Sequence, residues 1–179
     1  TPCPMSGATA PVTMAGLLVT TNAECLSGLV MAQLKRKGVP VCIGGVLTIM
    51  DMQTTTVSYG APELSLLLSG YADMAHYYNL PTWGTAGCSD SKIVDEQAAI
   101  EATFSSLVNA LSGLNLIHDP GFLEGAMIGS VEMVVMTDEI FGMVKRFMKG
   151  IPVNDQTLAL DVINKVGPGG DFLTDEHTF

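Results

Sequence analysis

Basic residues are scarce in this chain: 8 Lys and Arg face 18 Asp and Glu, a formal net charge of −10 over 179 residues. Nucleic-acid affinity rests largely on basic contacts to phosphates, so that class of partner is not expected. Aromatic residues make up only 6%, with a single tryptophan, Trp83. No C-x-x-C pair occurs among Cys3, Cys25, Cys42 and Cys88, and a domain of this size has no need of disulfide staples, so they read as reduced thiols. Cys25 and Cys42, in apolar contexts, read as core residues; Cys88, among glycines, reads as a thiol open to ligand. His76, His118 and His177 lack zinc-ligand spacing, and no metal site is expected. A basic segment followed by an apolar core is missing at the start, and no uncharged run reads as a membrane span. Residues 15–30 come closest but are interrupted by Thr20, Thr21, Asn22 and Glu24. A cytoplasmic protein without membrane contact is the expectation. Neither a G-x-G-x-x-G after the first strand nor a P-loop is present, so dinucleotide binding and phosphate chemistry lack support.

What the chain does contain is enough apolar residue to fold: 47% hydrophobic against 15% charged. Short extended blocks alternate with longer helical ones, the signature of a parallel sheet built from βα units. Four units are expected. The first has a strand at residues 2–5, a loop at 6–10 and a helix from Pro11 to Lys37, with Gly38 as its stop. The second has a strand at 39–44, a long connection at 45–60, and a helix from Pro62 whose Leu64, Leu67, Leu68, Tyr71, Ala72 and Ala75 recur at helical spacing and face a sheet. The third has a strand at 80–83 and a helix at 94–112. The fourth has a strand at 114–118, a loop at 119–129 and a helix at 130–149, capped by Ser130 and stopped by Gly150. A last helix at 156–166, with an Asp161–Lys165 pair, ends at Gly167 before a polar tail. The whole reads as one partial domain, residues 1–179.

The densest cluster of informative residues is Gly84-Thr85-Ala86-Gly87-Cys88-Ser89-Asp90-Ser91-Lys92. A glycine-rich turn between a strand's carboxyl end and a helix is where α/β proteins keep ligands, and also an ordinary capped βα turn. That stretch, Met5-Ser6-Gly7-Ala8-Thr9-Ala10-Pro11-Val12-Thr13, Asp138-Glu139-Ile140-Phe141-Gly142-Met143-Val144-Lys145-Arg146, and Val166-Gly167-Pro168-Gly169-Gly170 with Glu176-His177-Thr178 together resemble the trimethylamine methyltransferase family, in order and over essentially the whole chain.

The resemblance implies a (β/α)8 TIM barrel, of which this chain would be the C-terminal half, truncated at both ends. It implies a methyltransferase that moves a methyl group from trimethylamine or a quaternary amine such as glycine betaine to the Co(I) of a corrinoid protein. The cobalamin would be carried by that partner, with no cofactor held tightly by this chain. Archaeal trimethylamine enzymes of the family carry pyrrolysine, aligning near residues 84–97; standard residues fill that window here, as in the branch that includes betaine methyltransferases. A half barrel exposes two sheet edges, so the fragment is expected to be inactive alone and to need its missing half or a second copy. The alternative is a non-catalytic fragment that binds amine or docks the corrinoid protein.

Methyl transfer to reduced cobalt needs no strong protein nucleophile; the protein must bind a cation, align it and exclude water. An acidic and aromatic cage at the carboxyl ends of the strands is therefore expected. Asp90, His118 and Glu124 are the candidate catalytic residues, and Tyr59, Trp83, Gly87, Cys88 and Phe122 the candidate substrate-binding ones; Met5 and Asp51 lie on the same expected face. Trp83 and Tyr59 would hold a quaternary ammonium by cation–π contact, at about 0.5–2 kcal/mol each. Each residue also has an ordinary reading: Trp83 as barrel packing, Tyr59 as a loop anchor, Asp90 as partner of Lys92 or a helix cap, His118 as a satisfied inner histidine.

Overall fold

The computed structural model describes residues 2–179. They form two compact units, the larger ending at Met148 and the smaller spanning Lys149–Phe179.

The larger unit opens with β1 (Met5–Ser6), whose chain reverses at Gly7 and enters α1 (Met14–Lys35). Two short strands follow, β2 (Ile43–Gly44) and β3 (Thr48–Ile49), then α2 (Pro62–Tyr77), β4 (Thr82–Thr85) and α3 (Glu96–Leu111). After β5 (Leu116–His118) comes a hairpin of β6 (Phe122–Leu123) and β7 (Ile128–Gly129), and then α4 (Val131–Met148). β1 pairs in parallel with β3; β2, β4 and β5 form a parallel sheet in that order; β6 and β7 pair antiparallel. Parallel strands joined by helices make the chain α/β, as the alternation predicts.

Differences from the sequence reading fall where turns compete with strands. The expected strand at 39–44 keeps only its last two residues, because the chain bends and starts a second strand at Thr48. The third strand begins two residues late, at Thr82, and α3 begins at Glu96 because the Asp95 side chain caps it, accepting from the Ala98 amide at 2.9 Å. The loop at 119–129 contains a hairpin. Cys42, expected in the core, is exposed.

The core follows the helical stripe. Leu64, Leu67, Leu68, Tyr71, Ala72 and Ala75 are all buried, and all but Ala72 join one cluster with Leu17, Ile43 and Leu47. A fully buried leucine stabilises by about 1.5–3 kcal/mol, so this cluster is the unit's main apolar support. A second cluster under the hairpin joins Ala98, Ala102, Leu123, Met133, Ile140 and Val144. On β4 alternate residues face opposite ways: Gly84 lies over Leu68 and Leu114, while Trp83 turns toward Gly44. A Cβ at Gly44 would lie 2.6 Å from Trp83 Cδ1, so only glycine fits beside the indole. Helix α1 buries a narrow stripe, Leu17, Thr21 and Cys25, and by length and composition it is apolar enough to cross a membrane.

In the smaller unit the expected single helix is two, α5 (Asp155–Leu158) and α6 (Leu160–Val166), broken at Ala159 in a left-handed conformation, φ 51°. Asn154 and Thr157 form a capping box on α5. Lys165 bonds Asp175 at 2.7 Å in place of the expected Asp161.

Candidate active site

β4 carries the chain to the glycine-rich segment, and its residues turn inward. Residues 84–89 and Ser91 are buried. Gly87 adopts φ 73°, where a side chain is strained, and a Cβ there would lie 3.1 Å from Phe141. Its amide donates to Ser105 Oγ at 3.2 Å, and its carbonyl accepts from the Gly121 amide at 3.2 Å. Cys88 is fully enclosed, a correction to the expectation of a thiol open to substrate. Burial first, then the negative charges of Asp119 and Asp90, push its thiol far above the ordinary range, so it stays protonated and serves as packing.

Asp90 lies on the loop's last turn. Its Oδ2 accepts from the Ser58 hydroxyl and its Oδ1 from the Tyr59 amide at 2.6 Å, so it ties the end of the long connection at 45–60 to the glycine loop. Lys92, the alternative partner, pairs instead with Glu124 at 3.0 Å. Beside it, Glu101 of α3 accepts from Ser89 Oγ at 2.6 Å and the Asp90 amide at 2.9 Å through Oε2, and from Gln97 Nε2 at 2.8 Å through Oε1. The segment held this way brings Tyr59 to a cavity of about 250 Å³, lined also by Met5, Thr48 and Val57. Burial, then the negative charge of Asp119, pushes the Tyr59 hydroxyl up to about 12.

Asp119 follows β5 in a left-handed conformation, φ 76°, and is buried. Its carboxylate accepts from Thr85 Oγ1 at 3.1 Å and pairs with His118 Nδ1. The His118 ring, largely exposed, sits 5.4 Å from the Trp83 ring. Asn109 of α3 donates to the Thr85 carbonyl at 2.9 Å and fixes the strand end. Trp83 lines a separate cavity of about 360 Å³ with Glu24, Cys25 and Gly28, so the two aromatic residues expected to form one cage line two cavities.

On the hairpin, Phe122 is partly exposed and its carbonyl accepts from the Ser89 amide at 3.0 Å. Glu124 takes φ 49° and its side chain is 38% exposed, paired with Lys92 at the surface. Asp51 is exposed and holds its own turn, accepting from the Gln53 amide at 2.8 Å, which lowers its pKa. Among the described residues no three His, Cys, Asp or Glu side chains gather as a metal site. Glu101, Asp119 and Ser58 are absent from the sequence reading. The signal for Glu101 lies in α3, where Ala98, Ala102, Ser105 and Asn109 make a buried face of small and polar residues with an acidic residue beside it.

Loops from successive parallel strands thus meet at one end of the sheet. The profile of the trimethylamine methyltransferase (MTTB) family matches residues 1–179. The chain belongs to the trimethylamine methyltransferase family. Similar relatives are trimethylamine methyltransferases of Desulfitobacterium hafniense, 46% identical over 98% of this chain, and of Methanosarcina barkeri, 46% identical over 97%. A glycine betaine methyltransferase of Desulfitobacterium hafniense is 41% identical over 97%. Each alignment covers 35–36% of the relative, so the chain spans about a third of the length of these family members.

Proposed function

We propose that this chain forms part of the catalytic barrel of a methyltransferase that takes a methyl group from a small methylated ammonium compound, trimethylamine or glycine betaine in class. The parallel βα succession supports a (β/α)8 barrel, with the loops after β1, β3, β4 and β5 on its catalytic face. The observation that carries the substrate class is the setting of Tyr59: a half-buried phenol on an apolar-walled cavity, in the negative field of Asp119. An apolar cavity with an aromatic wall, whose hydroxyl feels the negative charge of Asp119, suits an organic cation better than an anionic ligand.

The chemistry calls for such a site. Breaking the C–N bond returns the bonding pair to nitrogen, so a cationic donor leaves as a neutral amine. The methyl acceptor, a second substrate, is the reduced cobalt of a cytoplasmic corrinoid protein and supplies the attacking electron pair. Tyr59 and the apolar wall of the cavity bind the donor and exclude water; the Asp119 carboxylate, fixed by Thr85 and His118, maintains the negative field. No side chain has to gain or lose a proton.

The test is an anaerobic assay of the complete protein with cob(I)alamin, comparing trimethylamine, glycine betaine and an amine-free control by absorbance. Methylation of the corrinoid with one amine supports the reading and names the donor. Binding of an amine without methylation would replace it with a non-catalytic binding role, and no response to either amine would overturn it.

A further inference from the structure

We infer that Glu101 is a positioning residue: it holds Asp90, and through Asp90 the Ser58–Tyr59 backbone, so that Tyr59 stands at the cavity wall. This deepens the proposed amine site and rests on that reading for its kinetic consequence, though not for its structural one.

The connections run in one direction. Glu101 Oε2 takes the Ser89 hydroxyl and the Asp90 amide, which fixes the backbone that carries the Asp90 carboxylate. That carboxylate takes Ser58 Oγ and the Tyr59 amide, one oxygen for each. The Ser58 carbonyl accepts in turn from Thr48 Oγ1, and Thr48 lines the same cavity as Tyr59. The next residue, Gly60, lies against the Glu101 carboxylate so closely that any Cβ there would collide with it. The segment at 58–60 is therefore gripped on two sides by acidic groups from different elements, one on the loop after β4 and one on α3.

All four carboxylate oxygens are engaged by donors of this chain, which marks the pair as structural acceptors and leaves the amine to the cavity itself. Acceptance, rather than charge, is then what Glu101 supplies. A glutamine retains one oxygen for Ser89 and Asp90, and its amide can face Gln97, whose own amide reverses to accept. An alanine leaves the Ser89 hydroxyl and Asp90 amide without their acceptor.

The experiment uses the complete protein with E101A, E101Q, G60A and the double variant G60A/E101A. Backbone hydrogen exchange across residues 48–60 and methyl-transfer kinetics are read in parallel. E101A is expected to raise exchange in that segment by about fivefold or more and to raise KM for the amine by about tenfold, with kcat changed much less. E101Q should remain near wild type in both. G60A should resemble E101A, yet add little in the E101A background, where the colliding carboxylate is gone; this non-additivity is the signature of contact between the two positions. Unchanged exchange in E101A, an E101Q as impaired as E101A, or additive effects of the double variant would overturn the inference. If wild type transfers no methyl group, the amine-transfer reading fails while exchange and non-additivity still decide whether the latch exists.

Discussion

Two loops leave the same end of the sheet and are built on opposite principles. The loop after β4 is buried and held by side chains: Ser105 on Gly87, Glu101 on Ser89 and Asp90, Ser89 Oγ on the Ser91 amide. The loop after β5 is anchored at its start by the buried Asp119 side chain on Thr85 and from there held by backbone shape, with Asp119, Gly121, Glu124, Gly125 and Ala126 all at positive φ and its tip at the surface. The first resembles core, and a change in it spreads inward; the second is a preset frame that tolerates changes of surface side chain. The two are joined backbone to backbone, the Gly121 amide on the Gly87 carbonyl and the Ser89 amide on the Phe122 carbonyl, so the first serves as a rigid floor and the second as an adjustable rim.

The contrast can be broken most severely at Gly87. Replacing it with leucine forces a side chain into a left-handed conformation and against Phe141, and should cost about 2–4 kcal/mol in denaturant unfolding. A loss below about 1 kcal/mol would show that the floor is softer than its burial implies. Next comes Thr85→Val, which removes the hydroxyl on the buried Asp119 carboxylate; about 1–3 kcal/mol should be lost, and the Tyr59 hydroxyl should titrate at an altered pH. Tyr59 itself contributes full stability below its ordinary pKa of 10 and loses it as pH rises from there to about 12, because the unfolded chain ionises first.

On the rim the signs and sizes differ. Ala126→Gly relieves a residue at φ 72° and should stabilise by about 0.5–1 kcal/mol, a rise in melting temperature rather than a fall. Lys92→Met removes a pair whose members are 74% and 38% exposed, so the change should stay under about 0.5 kcal/mol and vanish in high salt. A large effect at Lys92 would mean that the rim, too, is cemented by side chains.

Periodicity made α2 and its buried stripe readable, and caps such as Ser130, which accepts from the Met133 amide at 3.1 Å, marked helix starts. The glycine segment was recognisable as a strand-to-helix turn, but its burial was not, because small residues look alike whether they line a ligand or fill a core. Asp90 is marked by its neighbours in sequence; its partners Ser58 and Tyr59 lie 32 and 31 residues away, a distance local pattern does not span. Glu101 was hidden for the same reason. The break at Ala159 and the Lys165–Asp175 pair depended on a backbone reversal that no single residue announces.

The placement of the four thiols gives the molecule a built-in clock. Cys3 and Cys42 are exposed, Cys25 is buried on the inner stripe of α1 at the wall of the Trp83 cavity, and Cys88 is fully enclosed inside the glycine loop. A thiol reagent added to the native protein should consume the first two at once and reach Cys88 only as fast as the loop after β4 opens. The slow phase would time the breathing of the floor without ligand, partner or turnover.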